Sequence, residues 1–349
     1  MKSHSLCWHP NIPTALEENG TLGGFAKKQM IIKNQILTGD CRLLLRDFPP
    51  NSVSACITDP PYNYEFIGHK WNAAEVERRL TRIKNSKTIV KNIPYGSGLA
   101  GGVRNARWYL RVRENILDYE NWCFEWATQV FRVCKPGAVV GAFNSTRTMA
   151  HLQVALERAG FYARDCIVYR RSSGIPRGLN LEAKLKQKGL FSSQEWEGWH
   201  SCLRNEWEAI VVVQKPLINN YVETLLEYGI GLFHTAIDGT FQSNIIENIP
   251  REKNGHYNVH CTVKPLALME KLVDLFVPPS AEHIVLDPFA GSGTTLLAAK
   301  NLGRSYVGIE VVPDYVKIAQ KRLGETRINK ARKATAGTCT PMLWLEDRS

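Results

Sequence analysis

Ile284-Val285-Leu286-Asp287-Pro288-Phe289-Ala290-Gly291-Ser292-Gly293-Thr294-Thr295 reads as a short apolar strand, a glycine turn and the first residues of a helix. Gly291 and Gly293 let the backbone come close to a ligand where a β-carbon would clash. A Gly-x-Gly pair alone is weak, because structural turns produce it often. Two details sharpen it. No Lys-Ser/Thr follows at the place a triphosphate loop requires, and the next strand, 306–309, runs into Glu310, 17 residues beyond Gly293. A carboxylate at that strand end can accept two hydrogen bonds from ribose hydroxyls. The stretch therefore predicts a nucleoside cofactor without a demanding phosphate cradle. NAD stays open, although Asp287 would repel a pyrophosphate and suits an ammonium group, such as that of S-adenosylmethionine, better.

Working outward, the same strand–turn–helix rhythm recurs. Helices are predicted over 265–276, 294–301 and 313–323. Upstream, residues 53–58 form a β-branched, apolar strand, 119–133 a helix with Trp122, Trp126, Val130 and Val133 at helical spacing, 138–143 a strand, 149–159 a helix and 166–169 a strand. This alternation predicts an α/β fold with a doubly wound sheet. Between 171 and 260 the rhythm breaks. That stretch holds Trp196, Trp199 and Trp207 and one clear strand, 209–213, and reads as a small module or a set of long insertions. Residues 1–30 read as a polar extension and 325–349 as a basic tail.

The strand at 53–58 runs directly into Asp59-Pro60-Pro61-Tyr62. Two prolines cannot continue a central strand, so the chain leaves the sheet there as a stiff loop. An exocyclic amino nitrogen is a poor nucleophile because its lone pair is delocalised into the base. Two acceptors gripping its N–H groups, the Asp59 carboxylate and the Pro60 carbonyl, favour a pyramidal nitrogen with a directed lone pair. Pro60 and Pro61 hold those acceptors in advance. Tyr62 offers a ring on which an extruded base can stack, worth about 1–3 kcal/mol. An ordinary Pro-Pro turn closed by a packed tyrosine is the plain alternative, and the glycine turn weighs against it.

The chain has 349 residues and a formal charge of +11. Eleven lysines and arginines against two glutamates between Lys70 and Arg113 carry +9 of that excess, which suits a polyanionic partner or a solvated face. Arg104, Arg107 and Arg111 are the candidate phosphate contacts. Nine cysteines without a Cys-x-x-Cys pair fit a reducing compartment. Cys7 and His9 lack a second ligand pair, so no metal is expected. With no apolar run of membrane-spanning length and no signal peptide, a soluble, cytoplasmic protein that avoids membranes is expected.

Asp59-Pro60-Pro61-Tyr62 and Asp287-Pro288-Phe289-Ala290-Gly291-Ser292-Gly293 resemble the two hallmark motifs of the DNA amino-methyltransferases. Their order along the chain is similar to that of the circularly permuted beta group. The resemblance covers roughly residues 31–323. It implies a Rossmann-like fold with a seven-stranded sheet, one strand antiparallel, S-adenosylmethionine as cofactor, and double-stranded DNA with the target base flipped out. It divides the chain into a catalytic half at 31–170 with a basic insertion at 64–118, a target-recognition region at 171–260, and a cofactor half at 261–324.

The resemblance also implies roles for particular residues. Gly39-Asp40-Cys41 looks like the adenine-side cofactor contact, placing Asp40 and Cys41 there. His260-Cys261-Thr262-Val263-Lys264-Pro265 is similar to an element holding the methionine end, placing Thr262 and Lys264 there, with Asp287, Phe289, Gly291, Gly293, Thr294 and Glu310 completing the set. Lys135-Pro136-Gly137 resembles the turn before a sheet strand. Gly174-Ile175-Pro176-Arg177 and Gly229-Ile230-Gly231 resemble elements of a phage- and prophage-associated branch. Cys261 where proline is usual, and Trp207-Glu208-Ala209 in place of a Glu-Pro-Ile-like segment, depart from the pattern.

An acidic residue before Pro-Pro-Tyr leans toward N6 of adenine in that family, whereas serine leans toward N4 of cytosine. N4 methylation, an RNA substrate and a non-catalytic nucleic-acid-binding role on the same scaffold are the alternatives. A bacterial or phage-infected cell, a monomer or homodimer, and an associated restriction endonuclease are what the resemblance suggests beyond the chain itself.

Overall fold

The computed structural model describes residues 31–61, 106–171, 179–189, 191–237, 239–250 and 263–325. Ten strands are present among them: β1 Gln35–Thr38, β2 Val53–Thr58, β3 Cys134–Asn144, β4 Tyr162–Arg170, β5 Trp207–Gln214, β6 Ala236–Ile237, β7 Thr240–Phe241, β8 Ile245–Ile246, β9 Ile284–Asp287 and β10 Ser305–Glu310. β6 and β7 form a small antiparallel hairpin, and the other eight make one sheet in the order β1-β10-β9-β2-β3-β5-β4-β8. β5 is antiparallel to both of its neighbours, and every other pairing in the sheet is parallel. The expected seven-stranded sheet with one antiparallel strand is corrected to eight strands. The added one, β8, is a two-residue edge strand paired with β4, too short for its pattern to be read from sequence.

The helices are α1 Cys41–Leu44, α2 Ala106–Val133, α3 Met149–Arg158, α4 Leu181–Gln187, α5 Tyr221–Tyr228, α6 Leu266–Phe276, α7 Thr294–Asn301 and α8 Pro313–Glu325. β2, β9 and β10 are buried along their whole length, as strands covered on both faces must be. Side chains alternate between two cores. Cys56, Val140, Leu286 and Ile309 pack with Trp122, Trp126 and Val130 of α2 and Leu152 and Leu156 of α3. Ile57, Val139, Val285 and Tyr306 pack with Leu272 and Phe276 of α6, Leu296 of α7 and Ala319 of α8. The spacing Leu268, Met269, Leu272, Val273, Phe276 puts one apolar stripe of α6 on the sheet.

Several elements run longer than the sequence implies. α2 begins at Ala106, inside the basic segment, where frequent arginines mask the helical period. β3 begins at Cys134, so Lys135-Pro136-Gly137 lies within a strand rather than before one. Its register against β2 slips between Val53 and Ala55, and Gly137 takes φ +79° in the irregularity. β5 extends the predicted 209–213 strand in both directions and is integral to the sheet. Gly229 ends α5 in the left-handed conformation and Ile230 is buried behind it, a packing role for that Gly-Ile-Gly element. Gly174–Arg177 lie outside the described residues. No described helix is long and apolar enough to cross a membrane.

Candidate active site

β1, β2, β9 and β10 all end at one edge of the sheet, the place where open α/β sheets bind ligands. At those ends stand Asp40 and Asp59, just past β1 and β2, and Asp287 and Glu310, the last residues of β9 and β10. β5, being antiparallel, starts at that edge, so Glu208 arrives there from the other direction.

Asp287 is 3% exposed and its carboxylate is committed inward. It accepts hydrogen bonds from Thr58 Oγ1 (2.7 Å), Thr295 Oγ1 (2.6 Å) and the Phe289 N–H (3.1 Å). Burial pushes its pKa up to about 6. The two threonines and the amide pull the other way, and the nearby charge of Asp59 adds slightly to the rise. Buried hydrogen bonds to a charged acceptor contribute about 1.5–3 kcal/mol each. The geometry makes Asp287 the clasp between the end of β2 and the glycine turn. Thr58 and Thr295 are site residues that sequence reading missed. A threonine just before Asp59 and a second one just after Thr294 were the available signal.

The two glycines divide their work. Gly291 has φ +51°, and a β-carbon added there meets nothing within 4 Å. Gly293 has φ +79°, and its added β-carbon would lie 2.8 Å from Ala319 Cβ of α8. Gly291 thus leaves open space beside the turn, whereas Gly293 permits helix packing. Gly293→Ala is expected to destabilise the fold by about 2–4 kcal/mol from left-handed strain and overpacking. Gly291→Ala should cost about 1 kcal/mol of stability and fall mainly on ligand affinity. Thermal melting beside a ligand titration separates the two, and equal melting losses would refute the division.

Glu310 is 8% exposed. Its oxygens accept from the Gly291 N–H (2.8 Å) and the Val312 N–H (2.9 Å). Burial raises its pKa above the ordinary value, against the backbone donors. It braces the turn, and each oxygen retains a second lone pair for a ligand hydroxyl. Thr294 Oγ1 and the Ser292 carbonyl and hydroxyl accept hydrogen bonds from Arg322 of α8, at 3.0, 2.8 and 2.9 Å. Arg322 went unnoticed in the sequence because it sits on an otherwise unremarkable charged helix face.

Asp40 caps α1, accepting from the Arg42 N–H at 2.9 Å and pairing with its guanidinium at 2.7 Å. Burial would raise the Asp40 pKa, but Arg42 outweighs it and holds the carboxyl below the usual range. Cys41 is buried, and burial pushes its thiol well up. Phe289 packs between Trp122 and Trp126 with ring centroids 5.5 Å away in each case, so those tryptophans support the turn from α2.

Lys264 lies beside Asp59. Its Nζ is 2.9 Å from Asp59 Oδ2 and 3.1 Å from Glu208 Oε2, and it sits 4.8 Å from the centre of the Phe143 ring. Arg171 closes the series, 2.9 Å from Glu208 Oε1. Lys264, which the resemblance puts at the methionine end of the cofactor, thus stands beside the Asp59 carboxylate. Glu208 was noted in the sequence only as a departure, although a lone acid at the start of an apolar strand is a signal of a paired charge. Pro60 and Pro61 lie in the loop directly after Asp59. Tyr62, Thr262 and Arg104 lie outside the described residues. Arg107 and Arg111 fall on the first turns of α2, and their side chains also lie outside.

The family described as DNA methylase matches residues 53–321. The chain is 30% identical over 311 residues to the type II methyltransferase M.HindIII of Haemophilus influenzae, covering 84% of this chain and 96% of that one. Among solved structures, the DNA modification methylase TTHA0409 of Thermus thermophilus, described as putative and complexed with S-adenosyl-L-methionine, aligns with a TM-score of 0.50 at 22% identity, over 83% of this chain and 93% of that one. The cytosine-N4-specific PvuII DNA methyltransferase aligns with a TM-score of 0.52 at 16% identity, over 86% and 89%. At such identities the two structures speak for the fold alone.

Proposed function

This chain belongs to the DNA methylase family, and from that premise we propose that it methylates N6 of an adenine flipped out of double-stranded DNA, with S-adenosylmethionine as donor. The observation that carries the reading is the Thr58–Asp287 hydrogen bond of 2.7 Å. It ties the loop that would grip the base to the turn that would hold the cofactor, at the ends of adjacent strands.

The residues present fit the cofactor. Gly291 leaves open space beside a turn braced by Glu310, and Asp40 stands at the end of neighbouring β1. Gly291, Phe289, Thr294, Glu310, Asp40 and Cys41 would hold it, with Gly293 shaping the turn against α8 and Thr262 and Lys264 at its methionine end. When bound, S-adenosylmethionine supplies an electrophilic methyl group. Asp59 and the Pro60 carbonyl accept hydrogen bonds from the target amine and direct its lone pair, while Pro60 and Pro61 keep both acceptors rigid. Tyr62 stacks the extruded base, which must leave the duplex to be reached. Arg104, Arg107 and Arg111 bind phosphates. The region 171–260 reads the target sequence, with β5 inside it anchored in the sheet. The identity of Asp59 favours adenine over cytosine, and the motif order fits the permuted beta group. The resemblance to a type II methyltransferase supports site-specific modification in a bacterial cytoplasm.

The test is methyl transfer from labelled S-adenosylmethionine to unmethylated genomic DNA, followed by nucleoside mass spectrometry. N6-methyladenine is the expected product. N4-methylcytosine would keep the mechanism and overturn the base. Absence of any methylated nucleoside, with cofactor binding demonstrated, would overturn the catalytic reading.

A further inference from the structure

Four charged side chains of alternating sign run through the site: Asp59, Lys264, Glu208 and Arg171. Lys264 Nζ is shared between Asp59 Oδ2 and Glu208 Oε2, at 2.9 and 3.1 Å, and Glu208 Oε1 is held by Arg171 at 2.9 Å. The Lys264 and Glu208 side chains are only 10% and 14% exposed, so the contact between them is shielded from water. Resting on the reading of Asp59 as acceptor for the target amine, we propose that Glu208 is a positioning residue for methyl transfer, acting through Lys264 to fix the geometry of Asp59.

The physical case starts from the ammonium group. It is a compact charge with three donors and no planar preference, so it follows the nearest negative charges. With Asp59 as its one carboxylate partner in a shielded site, it would close onto Asp59 and compete with the amine for the same oxygens. Glu208 prevents that by drawing the ammonium from the opposite side. Arg171 keeps Glu208 in place by occupying Oε1, leaving Oε2 to the lysine. The ring of Phe143, 4.8 Å from Nζ, walls another side. Charges in the set of four cancel, and neutralising Glu208 leaves one positive charge in excess beside the amine.

Topology explains why Glu208 can take this position. It is the second residue of β5, opposite Tyr169 of β4, and β5 begins at the edge where its neighbours end. A parallel strand in the same place would have delivered its first residues to the far edge of the sheet.

Full-length protein carrying Glu208→Gln, Lys264→Gln or both is assayed for kcat, for DNA KM and, by equilibrium binding, for cofactor Kd. Glu208→Gln is expected to lower kcat about tenfold, with KM and Kd within about twofold, because geometry rather than affinity is disturbed. The double variant should be no slower than Lys264→Gln alone, since the glutamate acts through the lysine. Glu208→Asp, which keeps the charge, should recover part of the rate. An unchanged kcat, multiplied losses in the double variant, or an effect confined to Kd or melting temperature would overturn the proposal. Should Glu208→Gln fail to fold, Glu208→Asp replaces it. A kcat loss that vanishes in the Lys264→Gln background then supports the proposal, and one that persists overturns it. A wild-type protein that forms no methylated product would instead overturn the reading of the site, before any variant is compared.

Discussion

Replacing Asp59 with alanine is expected to lower kcat for methyl transfer by about 10²–10³-fold, the usual cost of removing one preorganised polar group from a transition state. Cofactor affinity should change by less than about threefold. The separation follows from the geometry. The cofactor turn is held by hydrogen bonds of Asp287 with Phe289 and Thr295, of Glu310 with Gly291, and of Arg322 with Ser292. The loss of Asp59 also leaves Lys264 with Glu208 as a partner at 3.1 Å, so no isolated buried charge is created. Single-turnover methylation beside a cofactor titration measures both quantities. Retention of more than about a tenth of the wild-type kcat would sink the assignment of Asp59 as the principal side-chain acceptor.

The second large effect concerns pH. Asp287 has its pKa pushed by burial to about 6, above its ordinary 3.8. The folded state therefore binds the proton more tightly than the unfolded chain does. The stability this contributes is fully present below pH 3.8 and is lost as the pH rises through about 6. Relative to its protonated form, the ionised carboxylate costs about 3 kcal/mol at pH 8. Asp287→Asn cannot ionise. Its carbonyl oxygen can still accept, and its amide can donate to a reoriented threonine hydroxyl. Compared with wild type, the asparagine variant should gain about 2 kcal/mol of relative stability between pH 4 and pH 8. Denaturant unfolding of both proteins across that interval is the measurement. Parallel stability curves would show that Asp287 is not proton-linked to folding.

Sequence legibility followed the range of the interactions involved. β2 and α7 match their predicted bounds because each is set locally, by a β-branched run before Pro-Pro and by a helix after a glycine turn. The first 13 residues of α2 were hidden by their arginines, since charge density and helical period compete as readings of one stretch. β5 could be recognised as a strand, but its place between β3 and β4 depends on pairings that no local pattern encodes. At the site, the glycine turn and Asp59 were legible as motifs. The inward commitment of Asp287 was not, because its partners Thr58 and Thr295 come from opposite sides of the motif, one 229 residues away in the chain. The sharing of Lys264 between Asp59 and Glu208 was equally invisible, since three distant segments meet there.

The pairing of β4 with β5 has a consequence for how this protein can change. Arg170 faces Trp207 in the ladder, and the Arg171 N–H donates to the Glu206 carbonyl at 2.6 Å. The chain between them therefore leaves and re-enters the sheet at a single point, already stitched shut at its base. Closing a loop costs only about 0.6 kcal/mol more for each doubling of its length. That excursion can lengthen, shorten or be exchanged while the sheet beneath it keeps its register, so the scaffold and whatever the excursion contacts can evolve as separate inheritances.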